Sequence, residues 1–459
     1  MVFVYLLEIY IMKEDVSYPE LIRFAIDPLA PYVPTEGTKF QVCQAMGINL
    51  YTANNLQIMD FTAGMNGINL GHNHPKVLSA VANQMVKYAR SAGNFNNSTT
   101  IHQLWEYFSS ILGSSHGYVY LTNTEEKAVR YAIRLAYSIT KRPAVLRIKF
   151  CNGKQQKKPK IESLIDDKNN GQDSNLDPST YYVNCCISPN NISELTIETA
   201  ISELLSCLRD LICSPTEPAQ ISAIIVNLVD KDNGFFFPPL VFLSALRCLC
   251  DRYGIIFIFD ERATAFGRTG KMLASQDLDV YPDLTIVGKG IANGYSLGCV
   301  IIRQEIVQGF LEDVWNDVEV DPISCTAALT TLNVIYTEDL LKNCQEMGGR
   351  LLDGLQVLQI RYPFIEDIRG MGLNIALEFI NMENNSSPPL SAAWDLACFS
   401  LQHGLLTYCV NSQSRFVCLM PPINVTKDHI DRAIYILEQG LNRIQNAPCW
   451  TKSLSSYLD

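Results

Sequence analysis

Gly254–Ile255–Ile256–Phe257–Ile258–Phe259–Asp260–Glu261, followed by Leu284–Thr285–Ile286–Val287–Gly288–Lys289, decides how this chain folds. An apolar run bounded by Gly and charged residues reads as a parallel strand covered on both faces. Two such runs would release Asp260 and Lys289 at strand ends, where α/β proteins place their chemistry. A carboxylate and an amine held there match the needs of pyridoxal phosphate: the amine forms a Schiff base, and the carboxylate keeps the pyridine nitrogen protonated. An ordinary structural ion pair would read the same way from two residues.

Outward from this pair, strands alternate with helices. Gly117–Leu121 reads as a strand, and Ala128, Ala132, Leu135, Ala136 and Ile139 mark the helix behind it. Ile221–Val226 is a further buried strand, and Leu240–Asp251 a helix leading into the Asp260 strand. This alternation predicts a mostly parallel sheet. Pro75 opens a helix to about Tyr88, and a second runs from about Thr100 to Leu112. Residues 152–181 are polar with no apolar period, an excursion from the fold. A long helix is expected from about Ala327. The last hundred residues mix strands such as Leu373–Phe379 with a helix beginning near Thr426, as in a smaller α+β domain.

The run from Asp260 through Arg268–Thr269–Gly270–Lys271, then Tyr281–Pro282–Asp283–Leu284, then Gly288–Lys289–Gly290, resembles the class III aminotransferases. Those carry Asp-Glu-Val-Gln-x-Gly-Phe-Gly-Arg-Thr-Gly, then Pro-Asp, then the cofactor lysine followed by glycines. Met59–Asp60–Phe61, Leu70–Gly71–His72–Asn73–His74–Pro75, Ile368–Arg369–Gly370–Met371–Gly372–Leu373 and Pro421–Pro422 agree in order, so the resemblance covers roughly residues 35–445. It implies a fold type I large domain over residues 76–326, with a smaller α+β domain built from residues 1–75 and 327–459. It also implies pyridoxal 5'-phosphate as cofactor, small amine and oxo-acid substrates, and a homodimer with active sites between subunits. Lys289 would be the covalent anchor and the base that moves the substrate proton, and Asp260 the partner of the pyridine nitrogen. Decarboxylation or racemisation on the same scaffold, and a non-catalytic partner or scaffold role, stay open.

Several positions depart from the family pattern. The phosphate turn, Asn-Ser-Gly-Ser-Glu-Ala in the family, reads Asn123–Thr124–Glu125–Glu126–Lys127–Ala128. A helix N-terminus suits phosphate, but like unit charges ~4 Å apart repel by about 4 kcal/mol at an effective dielectric of ~20. Without a ligand, Glu in a first helical turn is simply favourable with the helix dipole. The family's Tyr-His-Gly aligns with Cys151–Asn152–Gly153, which removes the ring that stacks on the pyridine. Val and Gln after Asp-Glu align with Arg262 and Ala263, the Glu-Pro pair with Asn227–Leu228, and the phosphate-binding threonine, loosely, with Asp317. The expected cofactor contacts are therefore Lys289, Asp260, Thr124, Glu125, Arg262 and Asn152. Arg369, Arg415 and Arg262 are the candidates for a substrate carboxylate.

The composition fits such a protein. The chain has 459 residues, 15 cysteines and a formal net charge of −11, which argues against nucleic acid or an anionic membrane as partner. Lys154, Lys157, Lys158 and Lys160 precede Asp166–Asp167, as in a solvated loop. The cysteines scatter through apolar runs without a Cys-x-x-Cys repeat, as buried thiols of a reducing, cytoplasmic compartment do. Met1 to Ile11 is apolar but lacks a basic segment or a small-residue cleavage site and is too short to span a bilayer, which leaves an unstructured extension or a start at Met12. Gly267–Arg268–Thr269–Gly270–Lys271–Met272 is no Walker motif, since Ala265 and Met272 occupy two of its essential positions, and Gly288, Gly290 and Gly294 miss the dinucleotide spacing. His72 and His74 fit a turn better than a metal site, and Arg268 fits carbonyl hydrogen bonding.

Overall fold

Ile256–Asp260 is buried at every position, and the rest of the central sheet is arranged around it. In the computed structural model the described residues are 41–53, 55–88, 99–112, 116–150, 160–163, 179–185, 202, 206, 220–229, 233–307, 320–380, 392–410 and 414–446. The central sheet contains β1 (His116–Thr122), β2 (Ala144–Phe150), β3 (Lys160–Ser163), β4 (Ser179–Cys185), β5 (Ile221–Asn227), β6 (Ile256–Asp260), β7 (Leu284–Val287) and β8 (Gly298–Arg303). Their spatial order is β1-β8-β7-β6-β5-β2-β4-β3. Pairing is parallel from β7 across to β4, whereas β8 runs antiparallel to both its neighbours and β3 antiparallel to β4.

Period-two alternation divides β6 between two helices. Ile256 and Ile258 pack with Ile286 and Val300 under helix α1 (Glu125–Thr140), which presents Ala128, Ala132 and Ala136. Phe257 and Phe259 point the other way, against Phe242, Leu243 and Leu246 of helix α2 (Leu240–Tyr253). Asp260 continues the parity of Ile256 and Ile258, so the same alternation that buries β6 carries this carboxylate out toward the α1 side. Asp283, of the Pro-Asp step, accepts from the Phe257 amide at 2.8 Å and from Arg247 at 3.0 Å, which fixes where β7 begins.

Two smaller sheets lie outside this one. Val42–Met46, Asn49–Thr52 and Gln57–Asp60 are joined by Leu405–Leu406, so early and late parts of the chain share a sheet. Ile365–Met371, Asn374–Phe379 and Phe416–Leu419 form an antiparallel trio.

Two sequence expectations need correction. Part of the polar excursion is not outside the fold: Lys160–Ser163 is the edge strand of the sheet, where charged residues are tolerated because one side lacks a partner strand, and Ser179–Cys185 is paired on both sides, with β2 and β3. Four residues alternating Lys-Ile-Glu-Ser are too few to show a period. The expected long helix is two, α3 (Pro322–Thr337) and α4 (Leu340–Arg361), separated at Asp339, whose φ of 50° lies in the left-handed region. Asp321 caps α3 by accepting from the Ser324 amide at 2.7 Å.

Within α4, Gly348 permits backbone contact: a Cβ there would lie 2.3 Å from the carbonyl oxygen of Gly372, whereas one at Gly349 would meet nothing within 4 Å. Gly348→Ala is expected to destabilise by about 1–3 kcal/mol through overpacking. Gly349→Ala should be neutral or stabilising by up to about 1 kcal/mol, because Ala is the better helix former. Thermal melting of the two variants side by side checks this.

Candidate active site

The parallel register pairs Ile286 of β7 with Asp260 of β6, and the Glu261 amide donates to the Ile286 carbonyl at 2.9 Å. Lys289 follows Ile286 by three residues, so Asp260 and Lys289 leave neighbouring strands at the same end of the sheet. Lys289 has a φ of 48° at the start of a short 3₁₀ turn, Lys289–Ala292. A left-handed lysine costs roughly 1–3 kcal/mol, strain that the surrounding packing must hold. Gly290, next in the chain, leaves room for Asn69: a Cβ there would meet the Asn69 amide nitrogen at 2.3 Å. Asn69 in turn donates to the Phe266 carbonyl and accepts from Arg268 at 3.0 Å.

Asp260 is buried and faces a guanidinium. Arg262 places Nε 2.8 Å from Oδ1 and Nη2 2.7 Å from Oδ2, and its backbone amide donates to Oδ1 at 3.2 Å. This is a bidentate clamp, the strong geometry for an arginine and a carboxylate. Burial pushes the Asp260 carboxyl upward, but the hydrogen bonds and charge of Arg262, with the more distant Arg147, hold it below the usual aspartate range.

The turn joining β1 to α1 closes the site from the other side. Thr124 caps α1, its hydroxyl accepting from the Lys127 amide at 3.1 Å. Two glycines let this turn come close: a Cβ at Gly298 would meet the Thr124 carbonyl oxygen at 2.6 Å, and one at Gly288 would meet Glu125 Cβ at 3.0 Å. Glu125 thus sits beside the residue preceding Lys289. Its Oε2 is 4.0 Å from Arg262 Nη1, and that oxygen is buried without a hydrogen-bond partner. Burial raises the Glu125 carboxyl above the usual glutamate range, with Lys289 and Arg262 pulling it back and Glu126 and Asp260 adding to the rise. Carboxylate, guanidinium and carboxylate therefore form a chain from Glu125 through Arg262 to Asp260, alongside Lys289. Asn152 and Asp317 lie outside the described residues.

The other candidate arginines are engaged elsewhere. Arg369 bridges Asp367 and Glu378, both at 2.6 Å, and donates to the Asn233 and Gly234 carbonyls. Arg415 contacts Glu366 and Glu378. Arg268 is buried and donates to the Pro421 carbonyl, and burial lowers it to about 10. His72 bonds Asp60 at 2.8 Å, which fixes the early turn.

Sequence reasoning missed three contributors. Glu261 is fully buried and accepts from the Ala274 and Ser275 amides and the Ser275 and Thr264 hydroxyls, which anchors the segment after Asp260. Arg147 adds positive field at Asp260 from β2. Gly298 admits the α1 turn, and its place at the start of an apolar strand was the one available signal.

Residues 32–441 match the family described as Aminotransferase class-III. The chain is 26% identical over 415 residues to a probable 4-aminobutyrate aminotransferase of Bacillus subtilis, covering 89% of this chain and 94% of the relative. It is 28% identical over 389 residues to an alanine/serine racemase of Pyrococcus horikoshii, covering 83% and 81%. An amine transaminase structure from an uncultivated Pseudomonas species, in its PLP-bound form, superposes with a TM-score of 0.72 at 25% identity, over 89% of this chain and 96% of that one. The chain belongs to the class III aminotransferases, with the fold type I architecture. Pyridoxal 5'-phosphate is the cofactor that this membership brings, and amino transfer is the family's reaction.

The residues fit that cofactor only in part. An amine and a carboxylate at this end of the sheet are groups that an aldehyde and a ring nitrogen would call for, but Arg262 takes both oxygens of Asp260 and Glu125 puts a carboxylate at the start of α1, where a phosphate would be expected. Removing Arg262 should strand a buried charge. Arg262→Ala is expected to cost about 2–3 kcal/mol, less than the roughly 3–5 kcal/mol of a fully buried pair because the arginine is partly exposed. The Asp260 value is depressed in the folded state, so the pair's contribution is complete above about pH 4 and is lost as pH falls through the folded value. Melting curves of both proteins between pH 3 and 7 should therefore converge toward the acid end.

Proposed function

We propose that this protein transfers an amino group between a small amine or amino acid and an oxo acid, with pyridoxal 5'-phosphate held by Lys289 and Asp260. The observation that carries the reading is the release of these two residues from adjacent parallel strands, in register at Ile286 and Asp260, within a chain whose family match spans residues 32–441. The cofactor supplies the electron sink. Lys289 offers the amine that can bind a carbonyl and move a proton, and Asp260 offers the fixed negative charge that orients a cationic ring. Thr124, Glu125, Arg262 and Asn152 would surround the cofactor.

The residues around 1–75 and 327–459 would form the smaller domain and 76–326 the larger, in a homodimer in the cytoplasm. No helix among the described residues is long and apolar enough to cross a membrane, and Cys250, Cys299, Cys325 and Cys344 are buried thiols, as suits a reducing compartment. Burial pushes the Cys325 thiol up to about 12 and that of Cys344 to about 11.

A racemase reading draws on the Pyrococcus horikoshii relative, and a non-catalytic reading on the clamp at Asp260. One assay separates the three. The protein, supplied with pyridoxal phosphate, is incubated with a panel of ω-amines and α-amino acids and an oxo acid, and new amino acid and new carbonyl are measured together with the chirality of the donor. Stoichiometric exchange that falls by at least roughly 10²–10⁴-fold in Lys289→Ala supports transamination. Inversion without consumption of oxo acid supports the racemase reading, and turnover of neither kind supports the non-catalytic one.

A further inference from the structure

We infer that the cofactor site of this chain is closed by its own side chains: Arg262 occupies Asp260 in place of the pyridine nitrogen, and Glu125 guards the phosphate turn. The inference rests on the reading of Asp260 and Lys289 as the two cofactor contacts.

Three observations carry it. Arg262 saturates Asp260, with Nε and Nη2 each on a separate carboxylate oxygen. A ring nitrogen can reach that carboxylate only after the guanidinium leaves at least one oxygen. Glu125 is held against the site by the close approach of the Thr124–Glu125 backbone to Gly288 and Gly298, which leaves little room for its Cβ to retreat. Its Oε2 is buried and accepts no hydrogen bond, and Arg262 Nη1 lies 4.0 Å from it. Arg262 thus lies between two carboxylates, with Lys289 adding positive field at Glu125 and Arg147 at Asp260, and a phosphate dianion entering at the turn would add charge of the same sign as Glu125.

The two carboxylates also define how the site opens. Arg262 already lies between them, so leaving Asp260 takes it toward Glu125, where it would neutralise the carboxylate that repels phosphate. Arg262 then acts as a positioning residue with two stations, the Asp260 end excluding the cofactor and the Glu125 end permitting it. At the corresponding positions the family pattern has Val and Gly, so Arg262→Val with Glu125→Gly should remove the closure.

The test measures binding apart from turnover. Wild type, Glu125→Gln and the Arg262→Val/Glu125→Gly double variant are each titrated with pyridoxal phosphate and with pyridoxal, which lacks the phosphate. Bound ligand is followed by its visible absorbance and by the mass retained on the Lys289 peptide after borohydride reduction. Circular dichroism and melting confirm that each variant is folded, and Glu125→Gln, nearly isosteric, keeps the test open if the double variant is not. The double variant is expected to bind pyridoxal phosphate at least tenfold more tightly than wild type. Glu125→Gln should raise the preference for pyridoxal phosphate over pyridoxal at least threefold. Equal affinities across the three proteins, or failure of every variant to bind, overturns the closure. Tighter binding without amino transfer in the double variant leaves the closure standing and removes the transaminase reading. Tight binding and full turnover by wild type do the reverse.

Discussion

A guanidinium seated on both oxygens of a buried carboxylate governs what the end of the central sheet can do. Asp260 emerges there because residues of its parity in β6 face α1, and a charge in that position needs a partner. Arg262 supplies one from two residues away. A local pair of this kind forms without help from distant parts of the chain and is bidentate, so it is a strong competitor for any incoming ligand. Burial alone would have favoured a neutral Asp260, and the arginine reverses that balance.

The same place on the sheet therefore satisfies two incompatible demands. Neighbouring parallel strands release Asp260 and Lys289 there, an acid and an amine, the pair on which the proposed chemistry rests. The turn at Thr124–Glu125 and the residue at 262 instead serve internal charge balance. The fold and the charges at its tip answer to different physics: strand register depends on Phe257, Ile258 and their apolar neighbours, while the contacts at the sheet end depend on single polar side chains. A substitution such as Val to Arg leaves the core of β6 intact and alters only the charge at its tip.

Much of the fold was legible because it is periodic. The apolar runs at 221–226 and 254–259, and the helical spacing from Ala128 to Ile139, identify elements whose burial requires that pattern. The Asp260 and Lys289 positions followed from where the runs stop. What could not be read was contact between separate segments. Glu125 is legible as a misplaced charge in a phosphate turn, but its approach to Arg262 is set by Gly288 and Gly298, which are 163 and 173 residues further along the chain. Glu261 looked like one half of a motif, and only the loop at Ala274–Ser275 reveals it as the anchor of the segment. The edge strand Lys160–Ser163 escaped notice because four residues carry too little periodic information.

Arg369 joins parts of the molecule that share no strand. It draws together Asp367 and Glu378 of the antiparallel trio and, at the same time, the backbone of Asn233 and Gly234 beyond β5. Gly234 adopts a φ of 63°, and a side chain on it would strike both Phe416 and the Arg369 guanidinium. This arrangement is a rivet between two plates. Because a single guanidinium holds both sides, its loss would release the contacts of the trio and of the 233–234 backbone together.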